Sequence, residues 1–301
     1  VFLDDDVIPN PDMLHHYAQV FCFFFRGPLG GLAGMTRLPT PTTMLACGVH
    51  MSYLTYFWRV SQLAPGGPLA PWAVTANVAT RRTKVRFDPI FPKTGGGEDI
   101  DYERRVLKEN GLVKCPAAEA THPWWNGGSP QPHRFFGWAS GDSILMDTYA
   151  QHRFFSWPNV WEVCLLLPLV LACFSLAGLS GTSTSTSSAW LTTVWLWQLA
   201  VSLGAIWVVE IVWDTVEHTA DPELLPDLWF PQRVYGSFLA SVYKNFTECG
   251  HLVAPWRRGI FVRHLFHRFD WWYGLHAAHL TTTRQKESYR FGAFLATVAF
   301  V

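Results

Sequence analysis

Three adjacent carboxylates, Asp4-Asp5-Asp6, follow the apolar pair Phe2-Leu3. Neighbouring acids repel one another, so such a run calls for a cation or for full solvation. At the C-terminal edge of a strand they stand where α/β sheets bind ligands. A second acidic group, Glu98-Asp99, comes directly after Gly95-Gly96-Gly97. Glycines let the backbone approach a ligand closely, although acids at a helix start also simply complement the helix dipole. His122 lies next to Pro123-Trp124-Trp125, an imidazole beside aromatics. Gln131 and Arg134 lead into Phe135, Phe136 and Trp138. A guanidinium can hold phosphate through paired hydrogen bonds, and the pair Arg81-Arg82 offers the same chemistry or a basic surface turn.

Local signals suggest the elements that position these groups. Phe2-Leu3 reads as a buried strand end. Pro9-Asn10-Pro11-Asp12 supplies an N-cap with Pro at the first helical position, and the spacing predicts a helix to about Phe25. Gly27 to Gly34 is glycine-rich but lacks the Gly-Lys-Ser/Thr of a phosphate loop, so it reads as a flexible loop. Glu98 opens a helix that runs through Arg104 and Arg105 to Asn110, with Gly111 as its stop. Leu112 to Cys115 reads as a short strand. Gln131 to Trp138 reads as a site segment or as an interfacial aromatic turn.

Composition bounds the class. Of 301 residues only 15% are charged, against roughly 25% in an average soluble chain. Sixteen Trp and 22 Phe exclude a disordered chain. Net charge is zero, so no global field recruits nucleic acid. The six Cys form no CxxC pair and read as small buried side chains in a reducing compartment.

Charge is unevenly placed. Residues 1–158 look like a soluble domain. From Val163 to Val209 there is no charged residue. The expected membrane region is 159–301, with spans at about 160–180 and 190–213 around the spacer Ser180 to Ser188. Flanking Trp residues suit interfacial belts. Lys and Arg on both flanks, and none in the spacer, predict that the front domain faces the cytosol. Residues of about 230–280 mix aromatics, Arg and His and predict interfacial amphipathic helices, or one such helix docked on the front domain. A further span is expected to begin at 291–301. The apolar ends suggest a piece cut inside a domain at the front and inside a span at the back.

The order of these signals is more specific than any one of them. A strand into Asp4-Asp5-Asp6, then Gly-Gly-Gly-Glu98-Asp99-Ile-Asp, then His122, then Gln131-x-x-Arg134, then a membrane hairpin resembles the membrane-embedded inverting glycosyltransferases of family 2. That group includes cellulose, chitin and hyaluronan synthases and ceramide glucosyltransferase. The resemblance implies an α/β fold, the C-terminal part of a GT-A (Rossmann-like) domain followed by an α-helical membrane region, whose uridine-binding first half has no counterpart here. It implies that Asp4 and Asp6 are the two acids of the DxD motif and that Asp99 is the catalytic base. Asp4, Glu98, Gln131, Arg134 and Trp138 would contact substrate, with Phe135 standing where the family has Trp. Asp4, Asp6 and His122 would hold Mg²⁺ or Mn²⁺. The implied partners are a nucleotide-diphosphate sugar, a polysaccharide or lipid acceptor, and membrane lipid. No nucleic acid is expected, and the piece alone is expected to be inactive.

Two readings from other classes stand beside this one. The first is a non-catalytic membrane scaffold or inactive gene fragment. The second is a transition-metal membrane protein built on His264-x-x-His267 and His276-x-x-His279. Interfacial histidines account for those pairs as well.

Overall fold

The computed structural model describes residues 1–23, 30–52, 54–63, 67–92, 96–107, 111–125, 129, 131–163, 165–166, 187–220, 227–273 and 277–300. The front region is a mixed α/β domain. Strands are β1 (Phe2–Leu3), β2 (Ile8–Pro9), β3 (Gly31–Arg37), β4 (Leu69–Ala70), β5 (Asn77–Thr80) and β6 (Leu112–Thr121). They form one sheet in the order β1-β5-β3-β6-β2, with β4 also on β6. β3 runs parallel to β6, and the other pairings are antiparallel. Helices α1 (Met13–Phe23), α2 (Met44–Met51), α3 (Val60–Leu63), α4 (Glu98–Leu107) and α5 (Pro132–Thr148) surround it.

The glycine-rich segment expected as a flexible loop is, from Gly31 on, the buried central strand β3. Its small residues suit the space. A Cβ at Gly31 would press on the Ala79 carbonyl and Leu112, and one at Gly34 would collide with Tyr17 and Asn77. The strand expected at Leu112 to Cys115 continues to Thr121. It does so across an irregularity, because the pairing steps from Ala33↔Lys114 to Met35↔Glu119. Pro116 falls in that bulge, where a missing N–H costs least. Asn77 captures the displaced carbonyls. Its Nδ2 donates to Met35 O (3.0 Å) and Ala118 O (2.8 Å), while Tyr17 of α1 donates to its Oδ1 (2.7 Å). β1 lies at the sheet edge with Leu3 38% exposed, rather than as a buried strand end.

Gln131 to Trp138 is the start of α5, not a turn, with Pro132 in the first helical turn. α5 crosses the glycine loop so closely that a Cβ at Gly141 would overlap the Gly96 carbonyl. Backbone cannot yield as a side-chain tip can. Gly141→Ala is therefore expected to cost about 1–3 kcal/mol, read as a lowered midpoint of thermal or denaturant unfolding. Gly204→Ala, with nothing within 4 Å of the added methyl, is the control and is expected to be neutral. Equal midpoints for the two variants would contradict this packing.

After α5 come β7 (Arg153–Phe155), α6 (Ser187–Ala220), α7 (Phe230–Arg257), α8 (Phe261–His264), β8 (His267–Phe269) and α9 (Ala277–Phe300). α6 contains the second expected span. Among the described residues it is the one helix long and apolar enough to cross a membrane, with mean hydropathy 1.7 over Leu196–Trp213. The first expected span lies largely outside the described residues.

In the 230–280 stretch the structure shows the docked-helix alternative. α7 packs on α5 and α2 of the front domain. Small residues make the close approach possible, since Gly236 and Gly250 face Met51 and the Phe136 carbonyl. The chain then turns and pairs β8 with β7. Buried charges here are paired across elements, the arrangement that limits their desolvation cost. Arg268 of β8 makes a two-pronged contact with Glu162 (2.7 and 3.1 Å). Arg290 of α9 reaches Glu248 of α7 and Glu210 of α6, each at 3.0 Å. Cys47 and Cys115 are buried as expected, but Cys22 is exposed. Asn245, in a formal glycosylation sequon, is buried and donates its amide to the Ser241 carbonyl (2.8 Å).

Candidate active site

The three N-terminal carboxylates occupy the turn between β1 and β2, closed by the Val7 N–H on the Asp4 carbonyl (3.2 Å). β2 then pairs with the end of β6, Ile8 opposite Thr121. That pairing sets the acidic turn beside His122. The His122 backbone N–H is held by the Arg37 carbonyl at the end of β3 (2.9 Å). Its Nδ1 lies 2.6 Å from the Pro123 carbonyl. A carbonyl only accepts, so Nδ1 is the donor in this bond. Nε2 lies 3.3 Å from Asp6 Oδ1. The ring stacks on Trp58 (4.5 Å between centroids) and meets Trp125 edge-on (5.6 Å).

Asp4, Asp6 and His122 thus offer two carboxylate oxygens and one imidazole nitrogen within 4.8 Å of one another. This donor set fits a divalent cation, the carboxylates suiting Mg²⁺ or Mn²⁺. The Pro123 carbonyl supplies the outer hydrogen bond that orients a ligating histidine. Among the described residues no second such cluster forms. His264 bonds Asp147 (2.8 Å) and His267 bonds the Leu265 carbonyl (2.9 Å). His276 lies outside the described residues.

Gly97 enters α4 at φ +97°, a conformation open to glycine. Its carbonyl takes the Asp101 N–H (3.0 Å), which opens the first turn of α4. Asp99 Oδ1 accepts from the Thr75 hydroxyl (2.7 Å). Burial raises the Asp99 carboxyl to about 6, against the pull of the Thr75 bonds and with a push from Asp4. Burial also raises Glu98, to about 8, reinforced by the Asp99 and Asp4 charges. Glu98 Oε2 is buried with no hydrogen-bond partner among the described residues. Asp4 is itself raised, first by burial, while His122 and Arg134 pull it down. The acidic turn, the start of α4, His122 and Arg134 therefore share one electrostatic neighbourhood.

Arg134 lies in the first turn of α5. Its Nε donates to Gln131 Oε1 (3.2 Å), and its guanidinium lies over the Trp125 ring at 4.9 Å. Trp138 meets Trp125 edge-on (5.7 Å), and its backbone lies against Gly96. Phe135 is 1% exposed and packs on Trp138 and Tyr243, so it is core. Arg81 and Arg82 are exposed beyond β5. Sequence reasoning missed Trp58 and Thr75. Neither carries a local motif, and both matter only through partners more than 20 residues away. No family profile, curated protein or solved structure matches the chain.

Proposed function

We propose that this chain carries the C-terminal part of a GT-A domain and that the full-length protein to which it belongs transfers a sugar, with inversion, from a nucleotide-diphosphate sugar to a polysaccharide or lipid acceptor at the cytosolic face of a membrane. The observation that carries this reading is convergence. The acidic turn, the start of α4, His122 and Arg134 come from four separated segments, and they meet in the combination that such a transfer requires.

Inversion needs an acceptor hydroxyl to attack the anomeric carbon in line. Asp99 takes its proton, fixed by Thr75 and raised toward neutral pH as a general base should be. Glu98, neutral below about 8, can donate to a sugar hydroxyl. Asp4, Asp6 and His122 would hold a divalent cation, which would supply charge neutralisation for the departing diphosphate. Arg134, held by Gln131 and Trp125, meets the same phosphates. Trp125 and Trp138 provide the aromatic surface that Phe135 does not. α6 and its neighbours keep the site at the membrane.

A donor panel tests the reading. The full-length protein in native membranes, given nucleotide sugars one at a time with Mn²⁺, is expected to release nucleotide diphosphate with at least one donor. Absence of release across the panel, with acceptor lipids present, would contradict it.

A further inference from the structure

Glu103 lies one turn beyond Asp99 on the same face of α4 and is fully buried. Both side chains reach the segment 72–75 that leads into β5. Glu103 Oε2 accepts the Ala73 N–H (2.6 Å), two residues before Thr75, whose hydroxyl holds Asp99 (2.7 Å). The same segment is held from its other side, because Trp72 Nε1 donates to the Trp271 carbonyl (2.6 Å) in the turn that precedes α9. Glu103 Oε1 is buried without a hydrogen-bond partner among the described residues. Nothing assigned so far uses this carboxyl, and a buried carboxyl is costly to keep.

We infer that Glu103 is a positioning residue, which pins residues 72–75 to α4 and so fixes the Thr75 hydroxyl against Asp99. This deepens the proposed function and rests on Asp99 being its base. The chemistry favours a neutral group at 103. Burial, with a push from Asp99, raises the carboxyl well above the usual carboxylate range, which favours the protonated form, against the pull of the Ala73 N–H. Gln is the isostere of that form. It keeps an acceptor for Ala73 and places an N–H₂ where the O–H was. Ala leaves the Ala73 N–H unpartnered in the core, which lets the segment drift.

The test combines single and double variants of the full chain in membranes. Glu103→Ala is expected to lower kcat roughly 10-fold, the scale of losing the Thr75 hydrogen bond to the Asp99 carboxylate, with KM within about two-fold. Glu103→Gln should restore kcat to within about three-fold of wild type. Thr75→Val should match Glu103→Ala. The double variant should be no worse than either single, because both act through one contact. Additive losses, or a Gln variant as poor as Ala, would overturn the inference. Hydrogen exchange of a peptide covering 72–80 gives a readout that needs no turnover. Exchange should rise in Glu103→Ala and return to wild type in Glu103→Gln, and unchanged exchange in the Ala variant would overturn the inference even if no donor were ever turned over. Loss of transfer in wild type with these exchange changes intact would instead count against the proposed function alone.

Discussion

Asp99→Asn is expected to lower turnover by at least about 10²-fold while donor affinity stays within about two-fold. The substitution is nearly isosteric. The Asn carbonyl still accepts the Thr75 hydroxyl that holds Asp99 Oδ1, so the local structure survives and only basicity is lost. The pH dependence should carry the same signature. A base must be ionised to take a proton, and burial raises this carboxyl to about 6. In wild type kcat/KM should therefore climb as pH rises through about 6 and level off above it. In Asp99→Asn the residual rate should lose that limb. Glu98→Gln should be milder, because it keeps a donor at that position. Turnover of Asp99→Asn near that of wild type, with the acid limb intact, would remove Asp99 from the mechanism.

The second large effect concerns the cation. Asp6→Ala removes one of three ligand atoms and leaves Asp4 and His122 facing each other across the gap. Metal-dependent donor binding is expected to weaken by at least about 10²-fold, and EDTA should do the same to wild type. Loss of an outer contact on a metal ligand typically costs 10–100-fold in affinity, so loss of a direct ligand should cost no less. Trp58→Leu, which removes only the ring stacked on His122, should weaken binding less. Isothermal calorimetry with a nucleotide diphosphate and Mn²⁺ reads all three. Donor binding that is equally tight in EDTA would leave the acidic turn as a solvated surface feature.

The parts of this site that were legible in the sequence are those whose chemistry is local. Three acids in a row, and a Gly-Gly-Gly-Glu-Asp run at a helix start, announce themselves without knowledge of the fold. The glycine signal cuts both ways. At Gly97 it marks a positive φ, whereas at Gly31 and Gly34 it marks a strand squeezed by neighbours. Those neighbours, Ala79, Leu112, Tyr17 and Asn77, are distant in sequence, so the same residue type predicted a loop and produced a central strand. α5 was hidden for a similar reason. Phe135 faces the α7 side while Arg134 faces Trp125, so its aromatics show no single apolar stripe. Arg268 is one of several arginines among the aromatics of the 230–280 stretch. Its partner Glu162 is over 100 residues away, and no local pattern could pair them. Glu103 shows the limit most clearly. Nothing in the local sequence marks it, yet its carboxyl is buried on the Ala73 amide.

The central claim, inverting sugar transfer by this site, is tested most directly by the stereochemistry of the product. Membranes carrying the full chain would be supplied with an isotopically labelled donor identified from the panel and with Mn²⁺, and the anomeric signal of the new linkage read by NMR. An α-linked donor should give a β-linked product, and that product should vanish with Asp99→Asn. A product with retained configuration, or an inverted product undiminished in Asp99→Asn, would contradict the account.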